Sequence, residues 1–183
     1  MHAWRGFTLI ELVLVILLTS IVGAVVLPRL PLDNQFEQRL QAENLVGLLR
    51  QVQLRAMNDP AALAENSELS RCGLIAFTDN GFSIAKNCNA AQLLDESQLT
   101  AAEQQGLFLG KTGLTLTIAS SSSYSLPLLL QFGQQSAVDP NYLSEHSRLG
   151  RPFINGAPLD STLMITLGDK VVRIEPEGYV HGP

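Results

Sequence analysis

Hydrophobic residues are concentrated in one long run near the start of the chain. Residues 7–27 contain fifteen Phe, Leu, Ile or Val side chains and one charged side chain, Glu11. A helix of these 21 residues, rising about 1.5 Å per residue, would be roughly 31 Å long, close to the hydrocarbon thickness of a bilayer. The pattern therefore predicts a membrane-spanning helix. Because an isolated carboxylate in hydrocarbon is costly, Glu11 is expected to have a positive partner.

A second helical pattern follows two prolines. Pro28 and Pro31 each lack an amide donor, so we expect the chain to be kinked near them. After Asp33, a suitable N-cap, apolar residues recur with helical spacing as far as Asn58, where an Asp-Pro pair follows. This stripe consists of Phe36, Leu40, Leu45, Leu48, Leu49, Val52 and Ala56. The spacing predicts an amphipathic helix over residues 33–58 that covers a sheet.

From residue 72 onward, short apolar or alternating runs predict β-strands. These predicted strands are residues 72–78, 82–88, 112–118, 124–132, 162–167 and 170–175. Proline cannot donate to a ladder, so the fourth strand is expected either to lie at an edge or to begin after Pro127. Gly168-Asp169 predicts a tight turn between the last two strands, and residues 178–183 are expected to be a short tail. Residues 133–160 are expected to form a long connection, which could be either a contact surface or an inert excursion.

The segment from Cys72 to Cys88 predicts a β-hairpin around Asp79-Asn80-Gly81. If all three residues form the loop, Cys72 lies directly opposite Cys88, whereas a two-residue Asn80-Gly81 turn would shift the pairing by one position. The chain has no other cysteine, no C-x-x-C motif and no four-ligand zinc pattern. If this domain lies outside the cytoplasm, as Arg5 before a spanning helix predicts, the two thiols are expected to form a structural disulfide.

The composition argues against several classes of function. The chain has 183 residues and a formal charge of −5, and its Lys and Arg residues are not clustered, so it offers no electrostatic footprint for nucleic acid. Phosphate-loop, dinucleotide and metalloprotease motifs are absent from the sequence. His146 has no neighbour at metal-ligand spacing, and Asp169, Glu175 and Glu177 are too dispersed for a calcium loop. We therefore expect no enzyme activity, no metal and no cofactor.

The start of the apolar run carries a specific motif. A short leader containing Arg5 precedes Gly6-Phe7-Thr8-Leu9-Ile10-Glu11, and the apolar segment follows. This arrangement resembles the processing signal of type IV pilins and type II secretion pseudopilins. The resemblance implies that a membrane-embedded prepilin peptidase cleaves between Gly6 and Phe7 and that the new amine of Phe7 is methylated. It also implies that Glu11 faces the Phe7 amine of a neighbouring subunit during assembly, which supplies the positive partner.

A secretory signal peptide or a plain membrane anchor would account for less of this segment. A Sec signal peptide has an apolar core of about 7 to 15 residues that ends at a small-x-small site. The run in this chain is longer, and no such site follows it. A plain single-pass anchor would explain the length of the run and the position of Arg5, but it would not explain Glu11 beside Gly6-Phe7.

The resemblance implies an α+β, pilin-like fold. Its long N-terminal helix would span the membrane in its first half, kink near Pro28 and Pro31, and pack on an antiparallel β-sheet in its second half. The implied parts are a leader (1–6), a transmembrane and polymerisation helix (7–27), and a periplasmic globular domain (28–183) with a helix at about 33–58 and β-rich structure over 72–183. The subunit would lie in the inner membrane as a single-pass protein and then in a pilus or pseudopilus filament.

Within this family the chain resembles minor subunits, namely GspH-like pseudopilins or the minor pilin of the mannose-sensitive haemagglutinin pilus. The presence of Glu11 disfavours the tip-proximal pseudopilins, which lack this glutamate. The implied partners are other pilin or pseudopilin subunits, the prepilin peptidase, an inner-membrane assembly platform and membrane lipid, and nucleic acid is not predicted. Two alternatives stay open: a major pilin, and a single-pass inner-membrane anchor that presents a periplasmic binding domain.

Overall fold

The structure of the protein is a computed structural model. It describes residues 8–26, 32–63, 72–86, 90–94, 110–121, 124–134 and 150–183. Two α-helices are present in these ranges, α1 (Leu9–Val26) and α2 (Leu32–Asn58), and a short 3-10 helix follows at Pro60–Leu63. The chain divides into two compact units, Met1–Phe36 and Glu37–Pro183, and each is described by itself.

The second unit contains the β-structure, in which every strand pairing is antiparallel. The described strands are β1 (Leu74–Thr78), β2 (Gly81–Ile84), β3 (Gly110–Thr112), β4 (Leu116–Ala119), β5 (Leu128–Phe132), β6 (Pro152–Ile154), β7 (Ala157–Pro158), β8 (Leu163–Leu167), β9 (Lys170–Ile174) and β10 (Val180–His181). A six-stranded sheet has the order β3-β2-β1-β5-β6-β7, and a four-stranded sheet has the order β10-β9-β8-β4.

The predicted fold class is wrong. Instead of one long helix on one sheet, the described residues form two separate helices, of 18 and 27 residues, and two antiparallel sheets. Within the described ranges, no helix combines the length and the hydropathy that crossing a bilayer requires. The sequence between the helices contains Pro28 and Pro31, and two missing amide donors so close together favour two helices over one. The predicted kink itself falls at residues outside the described ranges.

The predicted amphipathic pattern of α2 is correct only in its second part. Leu45, Leu48 and Leu49 are fully buried, together with Val52 and Ala56, and they belong to one hydrophobic core that also contains side chains of both sheets. At the start of the stripe, however, Phe36 is 69% exposed and Leu40 is 44% exposed. Helical spacing identified the apolar face, but it could not show how far along that face the core extends.

The predicted hairpin between β1 and β2 is present, with a register that differs from both expected alternatives. Thr78 pairs with Gly81, so the loop consists of Asp79 and Asn80 alone. Gly81 has φ +139°, and a side chain added there would collide with the carbonyl oxygen of Lys111 on β3. The glycine therefore serves the close approach of the neighbouring strand. The three-residue loop that would have placed Cys72 directly opposite Cys88 is not the one adopted.

The predicted connection over residues 133–160 contains a hairpin that the sequence analysis missed. Strands β6 and β7 are joined by Asn155 and Gly156, both of which have positive φ, at 49° and 83°. An Asn-Gly pair between short apolar runs is a strong indication of such a turn. Residues 135–149 of the predicted connection, including Tyr142 and His146, lie outside the described ranges.

The last strands agree more closely with those predicted from the sequence. The β8–β9 hairpin turns at Gly168-Asp169 as predicted, with Leu167 opposite Lys170. Strand β5 begins directly after Pro127, which was one of the two expected alternatives, although it lies between β1 and β6 and not at an edge. The predicted C-terminal tail instead forms β10, which pairs with β9 and completes that end of the four-stranded sheet.

Candidate functional site

The first turn of α1 is held by Thr8. The amide of Glu11 donates to the backbone oxygen of Thr8 at 3.1 Å and to its hydroxyl oxygen Oγ1 at 3.3 Å. Thr8-x-x-Glu11 matches the capping-box pattern, in which a threonine and a glutamate three residues later satisfy free amides at a helix N-terminus. A carboxylate in this first turn also complements the helix dipole. Among the described residues no hydrogen bond joins the Thr8 amide to the Glu11 carboxylate, so Thr8 caps this turn through the backbone amide of Glu11 and the carboxylate can contribute through the helix dipole.

The rest of α1 is apolar on every face. Eleven large apolar side chains are between 48% and 81% exposed, namely Leu9, Ile10, Leu12, Val13, Leu14, Val15, Ile16, Leu17, Leu18, Ile21 and Val22. A helix that is hydrophobic all round is normally buried, either in a membrane or among other helices. A contiguous apolar surface of this extent is typical of an interaction site.

The hydroxyl groups of α1 add little polarity to its surface. Thr19 Oγ1 donates to the carbonyl oxygens of Val15 and Ile16, both at 3.0 Å. Ser20 Oγ donates to the carbonyl oxygen of Ile16 at 2.7 Å. Because these bonds stay within the helix, the hydroxyls need no water or partner protein. Among the described residues of α1, Glu11 is the one ionisable side chain.

The structure describes only some of the predicted site residues. Glu11 lies exposed in the first turn of α1, whereas the predicted cleavage positions Gly6 and Phe7 lie outside the described ranges. Cys72 is buried just before β1 and is disulfide-bonded. The predicted partner, Cys88, is also outside the described ranges, so this pairing stays a prediction.

A cleft of about 530 Å³ opens on the second unit beside β9 and β10. Its charged lining residues are Asp169, Lys170, Arg173, Glu175 and His181. Two of the basic groups have acidic partners: Lys170 Nζ lies 3.1 Å from Asp169 Oδ2, and His181 Nε2 lies 3.0 Å from Glu175 Oε1. Arg173 is exposed, and its guanidinium has no hydrogen bond or ion pair among the described residues.

Helix α2 carries polar groups that hold the second unit together. Gln53 Nε2 donates to the carbonyl oxygens of Gly150 at 2.9 Å and Gly178 at 2.8 Å, so one side chain joins two loops that are distant in sequence. Burial lowers the pKa of Arg55 from its usual value, because desolvation disfavours the charged form. The Nη1 atom of Arg55 is buried, and the part of the chain that the structure describes supplies no hydrogen-bond partner for it.

The described residues offer little else for chemistry. No group of three or more His, Cys, Asp or Glu side chains in those ranges could hold a metal ion. A smaller cleft of about 150 Å³ is lined by Arg151, Pro152, Phe153, Pro158, Leu159, Pro176 and Glu177. Its three prolines have no amide N–H to offer a ligand. Compared with models of protein families, with curated proteins and with solved structures, the chain matches none of them.

Proposed function

We propose that this chain is a structural subunit of the type IV pilin or type II secretion pseudopilin kind and that it assembles into a filament through α1. The observation that carries the proposal is the exposed apolar surface all around α1, combined with a single carboxylate in its first turn. The resemblance of residues 5–11 to a prepilin processing signal supports it. A minor subunit is the role we favour, since the resemblance is to minor members of these families.

The size of the exposed apolar surface of α1 supports a role of this helix in assembly. Complete burial of a Leu, Ile or Val side chain contributes about 1.5 to 3 kcal/mol. The eleven exposed side chains of α1 are about half exposed, so covering them would contribute on the order of 10 kcal/mol before the costs of association. Like helices of neighbouring subunits can cover this surface from several sides, which suits a helix without a polar face.

The position of Glu11 supports pairing of its carboxylate with the N-terminal amine of a neighbouring subunit. Cleavage after Gly6 would create a new amine on Phe7, four residues before the carboxylate of Glu11. Because Glu11 is exposed, its carboxylate is available to the Phe7 amine of a neighbouring subunit. The attraction between these charges increases as apolar helices exclude water around them.

The proposal also includes the location of the subunit and the proteins with which it interacts. The subunit waits at the inner membrane with residues 28–183 on the periplasmic side, and the prepilin peptidase processes it there. An assembly platform and other pilin or pseudopilin subunits then transfer it into the filament. We expect no enzyme activity of the chain itself and no cofactor.

Intact-mass analysis of the protein extracted from membranes tests the proposal. We expect loss of Met1–Gly6 and one added methyl group on the amine of Phe7. Gly6→Val should leave the precursor uncleaved, because a branched side chain crowds the extended chain in the peptidase. Gly47→Val is the matched control, since a Cβ atom added at Gly47 would meet nothing within 4 Å.

The same samples are then used to measure the abundance of the protein in sheared filaments by quantitative mass spectrometry. A low ratio to the most abundant subunit is the result expected for a minor subunit. A protein that still begins with Met1 and is absent from filaments would contradict the proposed function.

A further inference from the structure

The cleft beside β9 and β10 has a distribution of charge that points to a ligand. Its lining contains two carboxylates, Asp169 and Glu175, and two permanent cations, Lys170 and Arg173. Lys170 is held by Asp169, and the Glu175 carboxylate is shared with the imidazole of His181. The guanidinium of Arg173 is thus the cation for which the described residues supply no anion.

Strand register places Arg173 in the middle of this surface. On one side it is paired with His181 of β10, and on the other with Met164 of β8. Paired residues of antiparallel strands have side chains on the same face of the sheet, so Arg173 and His181 are neighbours across the strands. The adjacent residues Val172 and Ile174 face the core and are fully buried, which fixes the direction of the Arg173 side chain. This strand therefore presents a guanidinium at a defined position in a concave surface.

We propose that this cleft binds a single carboxylate of a protein partner and that Arg173 is its anchoring residue. A planar guanidinium binds a carboxylate with two parallel hydrogen bonds. The cleft favours a monoanion over a phosphate, because the carboxylates of Asp169 and Glu175 line the same cleft as the Arg173 guanidinium. A dianion would meet repulsion from both acidic side chains, whereas one carboxylate neutralises the guanidinium that lacks an anion.

A contact at the outer edge of β10 disfavours strand addition there as the mode of binding. The carbonyl oxygen of Val180 in β10 accepts a hydrogen bond from Arg50 of α2 at 3.3 Å. An incoming strand would compete with this contact for the outer edge of β10. The partner is therefore expected to use an acidic side chain presented from a loop or a helix end and not to extend the sheet. The inference concerns the second unit alone and does not depend on the proposed role of α1.

Side-chain NMR of the full chain in detergent tests the inference, with the Nε–H resonance of each arginine as the probe. The ligands are three short blocked peptides that differ at one position, with glutamate, glutamine or phosphoserine between glycines. Comparison with Arg173→Lys assigns the Arg173 resonance. We expect the glutamate peptide to shift that resonance with saturation, at least about tenfold more tightly than the glutamine peptide. The phosphoserine peptide should bind more weakly than the glutamate peptide.

The variants distinguish a site from general charge attraction. Arg173→Gln should abolish saturable binding, and Arg173→Lys should weaken it because an ammonium cannot form the two parallel bonds. Arg39→Gln is the matched control, since Arg39 is exposed on α2 and already paired with Glu43 at 2.9 Å. Retention of binding by Arg173→Gln would overturn the inference, and so would equal binding of the glutamate and glutamine peptides. Tighter binding of the phosphoserine peptide would overturn the choice of a carboxylate.

Discussion

The charge of Glu11 and the Thr8 cap at the start of α1 can be separated by substitution. Glu11→Gln removes the charge but keeps the length and polarity of the side chain. Thr8→Val has the opposite effect, because it keeps the charge and the shape but removes the capping oxygen. Glu11→Ala removes the charge and the rest of the side chain but keeps the backbone amide that donates to Thr8 Oγ1. The three variants therefore assign any loss of assembly to the charge or to the cap.

The structure lets the two contributions be compared in size. The bond from the Glu11 amide to Thr8 Oγ1 is 3.3 Å long, beyond the usual 2.9 to 3.0 Å. A cap of this kind contributes at the lower end of the measured range, about 0.5 kcal/mol. Two unit charges 4 Å apart attract by about 4 kcal/mol at an effective dielectric constant of 20. After desolvation we take about 2 kcal/mol as the net value for the pair, so the charge outweighs the cap.

Each variant is expressed in place of the parent, and its amount in sheared filaments is divided by its amount in the membrane. A net loss of about 2 kcal/mol predicts roughly a thirtyfold lower ratio for Glu11→Gln. Thr8→Val should lower the ratio only about twofold. Glu37→Gln is the control for loss of an exposed carboxylate, and it should leave the ratio unchanged. Intact masses show whether every variant has been cleaved.

The opposite pattern would contradict a recruiting role of the Glu11 charge. If Glu11→Gln and Glu11→Ala enter filaments as well as the parent while Thr8→Val does not, the Thr8 cap of α1 supports assembly and the charge does not. If all three variants enter filaments normally, neither the charge nor the cap of α1 contributes to assembly.

Three further predictions concern the second unit and are checked by urea unfolding of the full chain. Cys72→Ser should lower the free energy of unfolding by about 3 kcal/mol if the predicted bridge to Cys88 closes its loop of roughly 15 residues, and two freely alkylated thiols in the native, oxidised protein would disprove that bridge. Gln53→Ala should cost about 2 to 4 kcal/mol by leaving two carbonyl groups without a donor, whereas Gln51→Ala on the same helix should change little. Gly81→Ala should destabilise more than Gly113→Ala, because only the first places a methyl group against the backbone of β3, and equal losses would remove that explanation.

Local signals in the sequence predicted the local parts of this fold. The fully buried residues of α2 match the stripe from Leu45 onward, although the proline pair was expected to kink one long helix and the structure has two. The β8–β9 hairpin follows from alternating residues around Gly168-Asp169. In each case the determining interactions lie within one turn of helix or one hairpin, which is the range over which periodicity and turn chemistry act.

Features that depend on distant residues could not be predicted in this way. The register of the β1–β2 hairpin places Gly81 against the Lys111 carbonyl oxygen of β3, thirty residues further on, where a side chain would collide. The division into two sheets depends on β4 pairing with β8 rather than with its sequence neighbour β3. Nothing in the composition of 112–118, predicted as one strand, indicated that its ends belong to different sheets.

The two candidate sites also differ in whether local or distant residues form them. Glu11 is visible from sequence because its context is an unbroken apolar run, and its capping partner is only three residues away. Arg173, by contrast, gains a site only when β10 pairs with β9 and brings His181 alongside it. Residues 178–183 were expected to be a tail, so nothing in the sequence indicated that they line a cleft with β9. A charged residue with an ordinary sequence context became a candidate for recognition only through long-range strand pairing.

The two surfaces suit different kinds of contact, and this bears on how a filament subunit could be specialised. The apolar surface of α1 has one charge and no polar face, so like helices can cover it from several sides without a unique set of hydrogen bonds. The cleft at Arg173 is polar instead. Most of its charged groups are paired with one another, and the unpaired guanidinium selects a ligand by the geometry of its hydrogen bonds. Apolar area contributes strength, whereas placed charges contribute selectivity. A subunit that joins many copies through α1 and recognises one partner through Arg173 would need both surfaces.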